Sequence, residues 1–172
     1  PNIAFNIASG AFDACSDLTR VELYASNVSE SNYLSNSVSK VFDYRYVTEV
    51  YAPNISGELC SIFGGLSNLT SMTLSNGLIT TVKSYALYGT HVSTTFTGSF
   101  GTLTRIEPYA FRDFDLPSPI NFTLNISQDS DLASSAFAQS SAPGNVTITG
   151  GLTQIPDYCF YSSSLSSITL PS

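Results

Sequence analysis

The chain has 172 residues, 42% of them apolar and only 11% charged, less than half of the about one quarter usual in globular domains. Six basic residues against thirteen acidic ones leave a net charge of −7, which excludes the Lys/Arg cluster that nucleic-acid binding needs and the basic face that docks on a membrane surface. Ser and Thr stand where charges would, so the surface is polar through hydroxyls and amides, as in secreted glycoproteins and unlike most cytosolic enzymes. No segment is long and apolar enough to span a bilayer, and no signal peptide opens the sequence. A start at Pro1 is what a mature or excised piece of a secreted chain would show.

Two short patterns alternate along the chain. Ile7-Ala-Ser-Gly-Ala-Phe12 comes first, a branched residue followed five positions later by an aromatic. Leu18-Thr-Arg-Val21-Glu-Leu23 follows: apolar, two polar, apolar, polar, apolar. The stretch 27–45 fits neither pattern and predicts an insertion plus a degenerate block. Val47-Thr-Glu-Val50-Tyr-Ala52 is a second copy of the alternating pattern, the block around Phe63 a poor copy of the aromatic one, and Leu69-Thr-Ser-Met72-Thr-Leu74 another strand. Val82 to Leu87 repeats the aromatic block with Leu for Phe. A weak strand centred on Thr95, the block Ile106 to Phe111, a strand around Leu124, and the block Leu132 to Phe137 come next. A strand at Val146, the block Ile155 to Phe160, and Leu165-Ser-Ser-Ile168-Thr-Leu170 complete the series. Ile79, Leu103 and Leu152 each stand three residues before a branched position.

The fourth strand position falls at 21, 50, 72, 95, 124, 146 and 168, a period of 22 or 23 with two intervals of 29. Such self-similarity is the signature of a solenoid. The alternating strand turns its first, fourth and sixth residues inward, and the second block returns the chain while burying its aromatic. One unit cannot bury its own apolar face; stacked parallel neighbours bury a continuous core. A β-rich solenoid stack with one short parallel strand per repeat and little helix is therefore expected, since β-branched residues, Ser and Asn are weak helix formers. Phe12, Phe63, Phe111, Phe137 and Phe160 should form one buried column.

The run Ile155-Pro-Asp-Tyr-Cys-Phe160 through Leu165-Ser-Ser-Ile-Thr-Leu170-Pro-Ser172, with Ile106–Phe111, Val82–Leu87, Ala133–Phe137 and Ser9–Cys15, resembles the BspA-like (Treponema pallidum-type) leucine-rich repeat over about 130 residues. The resemblance implies a surface protein, in several relatives an adhesin or a binder of matrix proteins. It implies no active site, because the family has none to carry over.

Six Asn-X-Ser/Thr sequons occur, at Asn27, Asn54, Asn68, Asn121, Asn125 and Asn145, twice the about three that this composition gives by chance. They are the candidate N-glycosylation sites, with Asn27 and Asn54 the best placed for exposure. Cys15, Cys60 and Cys159 match no zinc or redox spacing. They read as small core residues, and an odd count leaves one unpaired or paired between chains. The single histidine, His91, reads as structural. The pairs Asp113/Asp115 and Asp129/Asp131 have a spacing that can bind Ca²⁺ weakly but read more simply as polar loop residues. Gly64-Gly65 and Gly150-Gly151 lack any phosphate-binding context and read as turns.

The strand positions facing solvent should be Thr19, Arg20 and Glu22; Thr48, Glu49 and Tyr51; Thr70, Ser71 and Thr73. Phe96, Phe122, Thr123 and Asn125 follow, then Asn145, Thr147, Ser166, Ser167 and Thr169. Mostly small and hydroxylated, this face lacks the Trp, Tyr and Arg that binding sites concentrate, and glycans on Asn125 and Asn145 would cover part of it. The sequence thus predicts a single solenoid over 1–172 of about seven repeats, starting and ending mid-repeat. It predicts a non-enzymatic extracellular or cell-surface scaffold, without catalytic, metal or cofactor residues, bearing N-linked glycans and self-associating head to tail; an adhesin binding a protein ligand is the alternative. The register supports stacking: from Leu165 through the end and on to Ile7 is 14 residues, against 13 from Leu69 to Val82 and 14 from Val92 to Ile106.

Overall fold

The computed structural model describes residues 5–8, 10–30, 41–43 and 45–171. Among the described residues twelve short strands follow one another: β1 (Phe5–Ile7), β2 (Arg20–Glu22), β3 (Val28–Glu30), β4 (Glu49–Ala52), β5 (Gly57–Leu59), β6 (Leu69–Asn76), β7 (Ile79–Val82), β8 (Val92–Ser99), β9 (Arg105–Ile106), β10 (Ile120–Ile126), β11 (Pro143–Gly150) and β12 (Ser167–Thr169). Every pairing is parallel. The main face carries the order β2-β4-β6-β8 and then, as a separate ladder, β10-β11-β12; behind it runs β5-β7-β9, and β1 pairs with β3. The only helical turns among the described residues are two 3₁₀ turns, Ser61–Phe63 and Asp129–Asp131. The chain is a parallel β-solenoid of about seven turns, as the repeat predicts.

Apolar residues of the same rank stack from turn to turn. On the main face Val21, Val50 and Met72 pair in sequence and are buried. On the second face Leu59 pairs with Val82, Val82 with Ile106, and Ile106 with Leu132, all within 2% of full burial. Alternation along β10 is regular, with Phe122, Leu124 and Ile126 inward and Asn121, Thr123 and Asn125 outward.

Two strand centres differ from expectation. Met72 faces Phe96, not Thr95, because β8 carries one extra residue: Leu69 to Ser71 on β6 matches Val92 to Thr95 on β8, a bulge. Val146 faces Phe122, not Leu124. The period-2 pattern of β10 is equally good at 122, 124 and 126, so alternation alone cannot choose among registers two residues apart, and hydrogen bonding does. Phe122 is consequently a core residue, 2% exposed, and Phe96 is half-buried, where a solvent-facing position was expected for both.

The aromatic column forms. Phe137 stacks on Phe111 at 4.8 Å and 7°, and on Phe160 at 5.1 Å and 11°. Phe63, Leu87, Phe111 and Phe137 are fully buried. Phe160 is only half-buried and Phe12, 40% exposed, lies at the rim, because among the described residues each has a neighbouring turn on one side alone. Phe12 stacks on Phe42 at 5.4 Å, so the stretch 27–45 contributes Phe42 to the column and Val28–Glu30 to a strand; residues 31–40 lie outside the described residues. The poor block at Phe63 is one residue short, Leu59 to Phe63 against Val82 to Leu87, and a 3₁₀ turn takes up the difference.

The tight returns use left-handed backbone twice per turn: Tyr85, Tyr109, Ser135 and Tyr158 in one column, Gly89, Asp113, Gln139 and Ser162 in the next, all with φ between 54° and 61°. The close spacing of turns explains Gly98, opposite the bulge of β6 between Thr73 and Asn76, whose added Cβ would lie 2.8 Å from the Leu74 carbonyl oxygen.

Candidate functional site

The sequence nominates no catalytic cluster, so the surfaces come first. On the main face the outward hydroxyls and amides bond to the turn before. Thr48 and Thr70 donate to the carbonyls of Thr19 and Thr48, Ser93 to Leu69 and Thr149 to Leu124, at 3.0–3.2 Å. Arg20 links Glu22 and Glu49 at 2.7 and 2.6 Å, and on the second face Lys83 meets Glu107 at 2.8 Å. Burial pushes the Glu107 carboxyl up, but hydrogen bonds from Lys83 and from the Ser84 amide and hydroxyl outweigh it, holding the group below the usual carboxylate range.

The six sequon asparagines fall on this surface. Asn54, Asn68, Asn121, Asn125 and Asn145 are exposed; Asn27 is half-buried, less open than its position promised. Asn54 and Asn68 donate their side-chain amides to the Tyr24 and Arg45 carbonyls. Asn145 donates to Asn121 Oδ1 at 3.0 Å and accepts from the Ser167 hydroxyl at 2.7 Å, so three turns carry one polar ladder.

Of the aspartate pairs, Asp129 is taken up by the next turn: both its oxygens accept from Thr153, which holds its carboxyl below the usual range. Asp131 meets Arg105 at 3.4 Å. Asp113 and Asp115 instead come together with His91, a grouping not expected from the sequence. Cys159 is buried as expected, its thiol pushed up to about 12 by burial, whereas Cys15 is exposed and Cys60 half-buried, so the core assignment fails for Cys15. Gly150 closes on the Ile126 carbonyl, where any Cβ would collide.

The returns carry a feature that the sequence pattern held but the strand pattern hid. Tyr85 and Tyr109 stack at 5.1 Å, Tyr88 meets Tyr85 edge-on at 5.5 Å, and the Arg112 guanidinium lies 5.5 Å from the Tyr109 ring centre. Tyr158 and Tyr161 continue the two columns at 68% and 60% exposure, after a gap at Ser135 and Ala138. The signal was the recurrent tyrosine two residues before the block aromatic or its Leu substitute.

These features define a leucine-rich-repeat solenoid whose polar groups chiefly join turn to turn. The family model of the BspA type leucine rich repeat region matches in six copies over residues 35–130 and 104–172; the chain belongs to the BspA-type leucine-rich repeat family. No curated protein and no solved structure matches it. The family is one of repeat scaffolds, often surface-associated, and no helix among the described residues is long and apolar enough to cross a membrane.

Proposed function

We propose that this chain is an extracellular, glycosylated scaffold whose solenoid is extended by stacking further turns end to end. The observation that carries the reading is where the polar side chains go: their inter-turn bonds span 22 to 30 residues, one repeat, along both faces. A surface engaged in joining its own turns is suited to bearing load more than to holding a small ligand. The open faces agree. A cavity of about 400 Å³ lined by Phe5, Ile7, Phe12, Leu18, Tyr24 and Phe42 marks the first turn, and Ile155, Ile168 and Leu170 are exposed at the last. A neighbouring turn, on the same polypeptide or on a second copy, covers such residues in the interior. The exposed sequons, Asn54 foremost, would carry the glycans.

Electron microscopy of the native material tests the assembly: rods or filaments are expected, and dispersed compact particles would contradict it. Intact mass before and after amidase treatment tests the glycans, with no change removing that part. A second reading, an adhesin, is favoured by the Tyr85/Tyr88/Tyr109/Arg112 ridge, since Tyr and Arg dominate binding hot spots. Loss of cell-surface or matrix binding on Tyr109→Ala with Arg112→Ala, at unchanged stability, would select it over the pure scaffold.

A further inference from the structure

The main face is not one continuous sheet. Its first ladder ends at β8 and the second begins at β10, and no strand pairing joins the two. The seam is held by two isolated bridges, His91 with Asp115 and Leu103 with Leu124. At the first of these, three ligating side chains converge from adjacent turns. His91 Nε2 lies 3.7 Å from Asp113 Oδ1 and 3.6 Å from Asp115 Oδ2, and one ligating atom from each residue falls within 4.8 Å of the others.

Although the side chains are 41–49% exposed, the Nε2 atom itself is shut off from solvent and has no hydrogen-bond partner. Its distances to the carboxylates exceed the about 2.7–3.2 Å of a hydrogen bond. They are also short for a bridging water, whose two hydrogen bonds at an open angle would set the groups about 4.5 Å apart. They come within a few tenths of an ångström of a different geometry: ligands about 2.0–2.1 Å from a tetrahedral ion stand about 3.3–3.4 Å apart.

We propose that His91, Asp113 and Asp115 bind a divalent transition-metal ion of the zinc type, which clips the two halves of the sheet together at their seam. An imidazole nitrogen discriminates against Ca²⁺ and Mg²⁺, which take oxygen ligands, and two carboxylates neutralise the double charge. Three protein ligands leave one tetrahedral position for water. The ligands sit on fixed backbone. The Asp115 amide donates to the Thr90 carbonyl at 3.0 Å and Val92 donates to the Asp115 carbonyl at 2.9 Å, so residues 91 and 115 are held side by side. The second oxygen of Asp115 accepts from the Ser141 amide at 3.1 Å, the kind of outer bond that orients a ligating carboxylate. Asp113 occupies the left-handed column where the neighbouring turns have Gly89 and Gln139, so only this turn presents a carboxylate there.

The chain has one histidine, so its ring-proton resonances report this site alone. Zn²⁺ added to the full chain should shift them to saturation at micromolar concentration and raise the unfolding midpoint, while Mg²⁺ at the same concentration does neither. Asp113→Asn with Asp115→Asn should weaken Zn²⁺ binding by about a hundredfold or more, since loss of a mere outer-shell partner costs about ten- to a hundredfold. The single change Asp113→Asn, at an exposed turn, should weaken it by at least about tenfold and serves if the double variant does not fold. No shift of the histidine up to millimolar Zn²⁺, or an affinity unaffected by Asp113→Asn, would overturn the proposal and leave the three as a polar surface group.

Discussion

The aromatic column within the coil and the hydroxyl rungs on its face both join each turn to the next, but they act on different scales. Phe111, Phe137 and Phe160 stack at 4.8 and 5.1 Å with nearly parallel rings, and the first two are wholly removed from water. The hydroxyls of Thr48 and Thr70 make one hydrogen bond each, in exposed positions where water competes. Burial of a large ring is worth several kcal/mol, whereas an exposed hydrogen bond merely exchanges one partner for another. The column therefore fixes how strongly the turns adhere, and the rungs fix how they are aligned. Burial is also uneven along the column: Phe12 is 40% exposed where Phe137 is not exposed at all.

The largest effect should come from the column's centre. Phe137→Ala removes a ring in contact with Phe111, Phe122 and Phe160 and should cost about 3–5 kcal/mol in denaturant unfolding. Phe12→Ala, at the rim, should cost less than half of that, and equal losses would refute the graded column. Next come two hydroxyls that belong to neither class. Thr90 and Ser140 are buried, and each donates at 2.6 Å to an aromatic's carbonyl one turn earlier, Phe63 and Phe114 respectively. Ser140→Ala leaves the Phe114 carbonyl without that partner in a dry place and should cost about 1–3 kcal/mol, a value between the ring and the exposed rung.

Acid should act through Asp43. Hydrogen bonds from the Arg45 side chain hold its carboxyl down to about 2 from an ordinary 3.8, even though its side chain is nearly covered. A depressed carboxyl contributes its stability in full above the unfolded value and loses it as the pH falls towards the folded one. Unfolding midpoints should thus fall between about pH 4 and pH 2, and Asp43→Asn should flatten that limb of the profile. An unchanged limb would show that the Arg45 pair contributes nothing to the stack.

The fold was legible because the repeat writes its buried positions in period: Val21, Val50 and Met72 were placed by pattern alone and pair with one another. It failed where the pattern is degenerate. In β10 three inward residues in a row left the register open, and in β8 an added residue is invisible to alternation. Phe42 was lost to the column because the stretch before it follows no template. The His91 group was missed for another reason. His91 and Asp115 are 24 residues apart, the same step as Leu87 to Phe111, so they are neighbours across a turn. That relation appears only when polar residues are placed in the repeat's register along with apolar ones.

The smallest effect should be at Thr70, and it bears most directly on the division between column and rungs. Its hydroxyl donates to the Thr48 carbonyl at 3.0 Å on the exposed face, next to a backbone bond from the Thr70 amide to the same oxygen at 2.8 Å. Because that carbonyl keeps the amide when the hydroxyl is removed, no acceptor is stranded. Thr70→Val keeps the β-branched shape that suits a strand and should change stability by no more than about 0.5 kcal/mol. A loss comparable to that of Ser140→Ala would show that exposed rungs carry the load between turns. The aromatic column would then be filling, and the surface hydroxyls would be the principal ties.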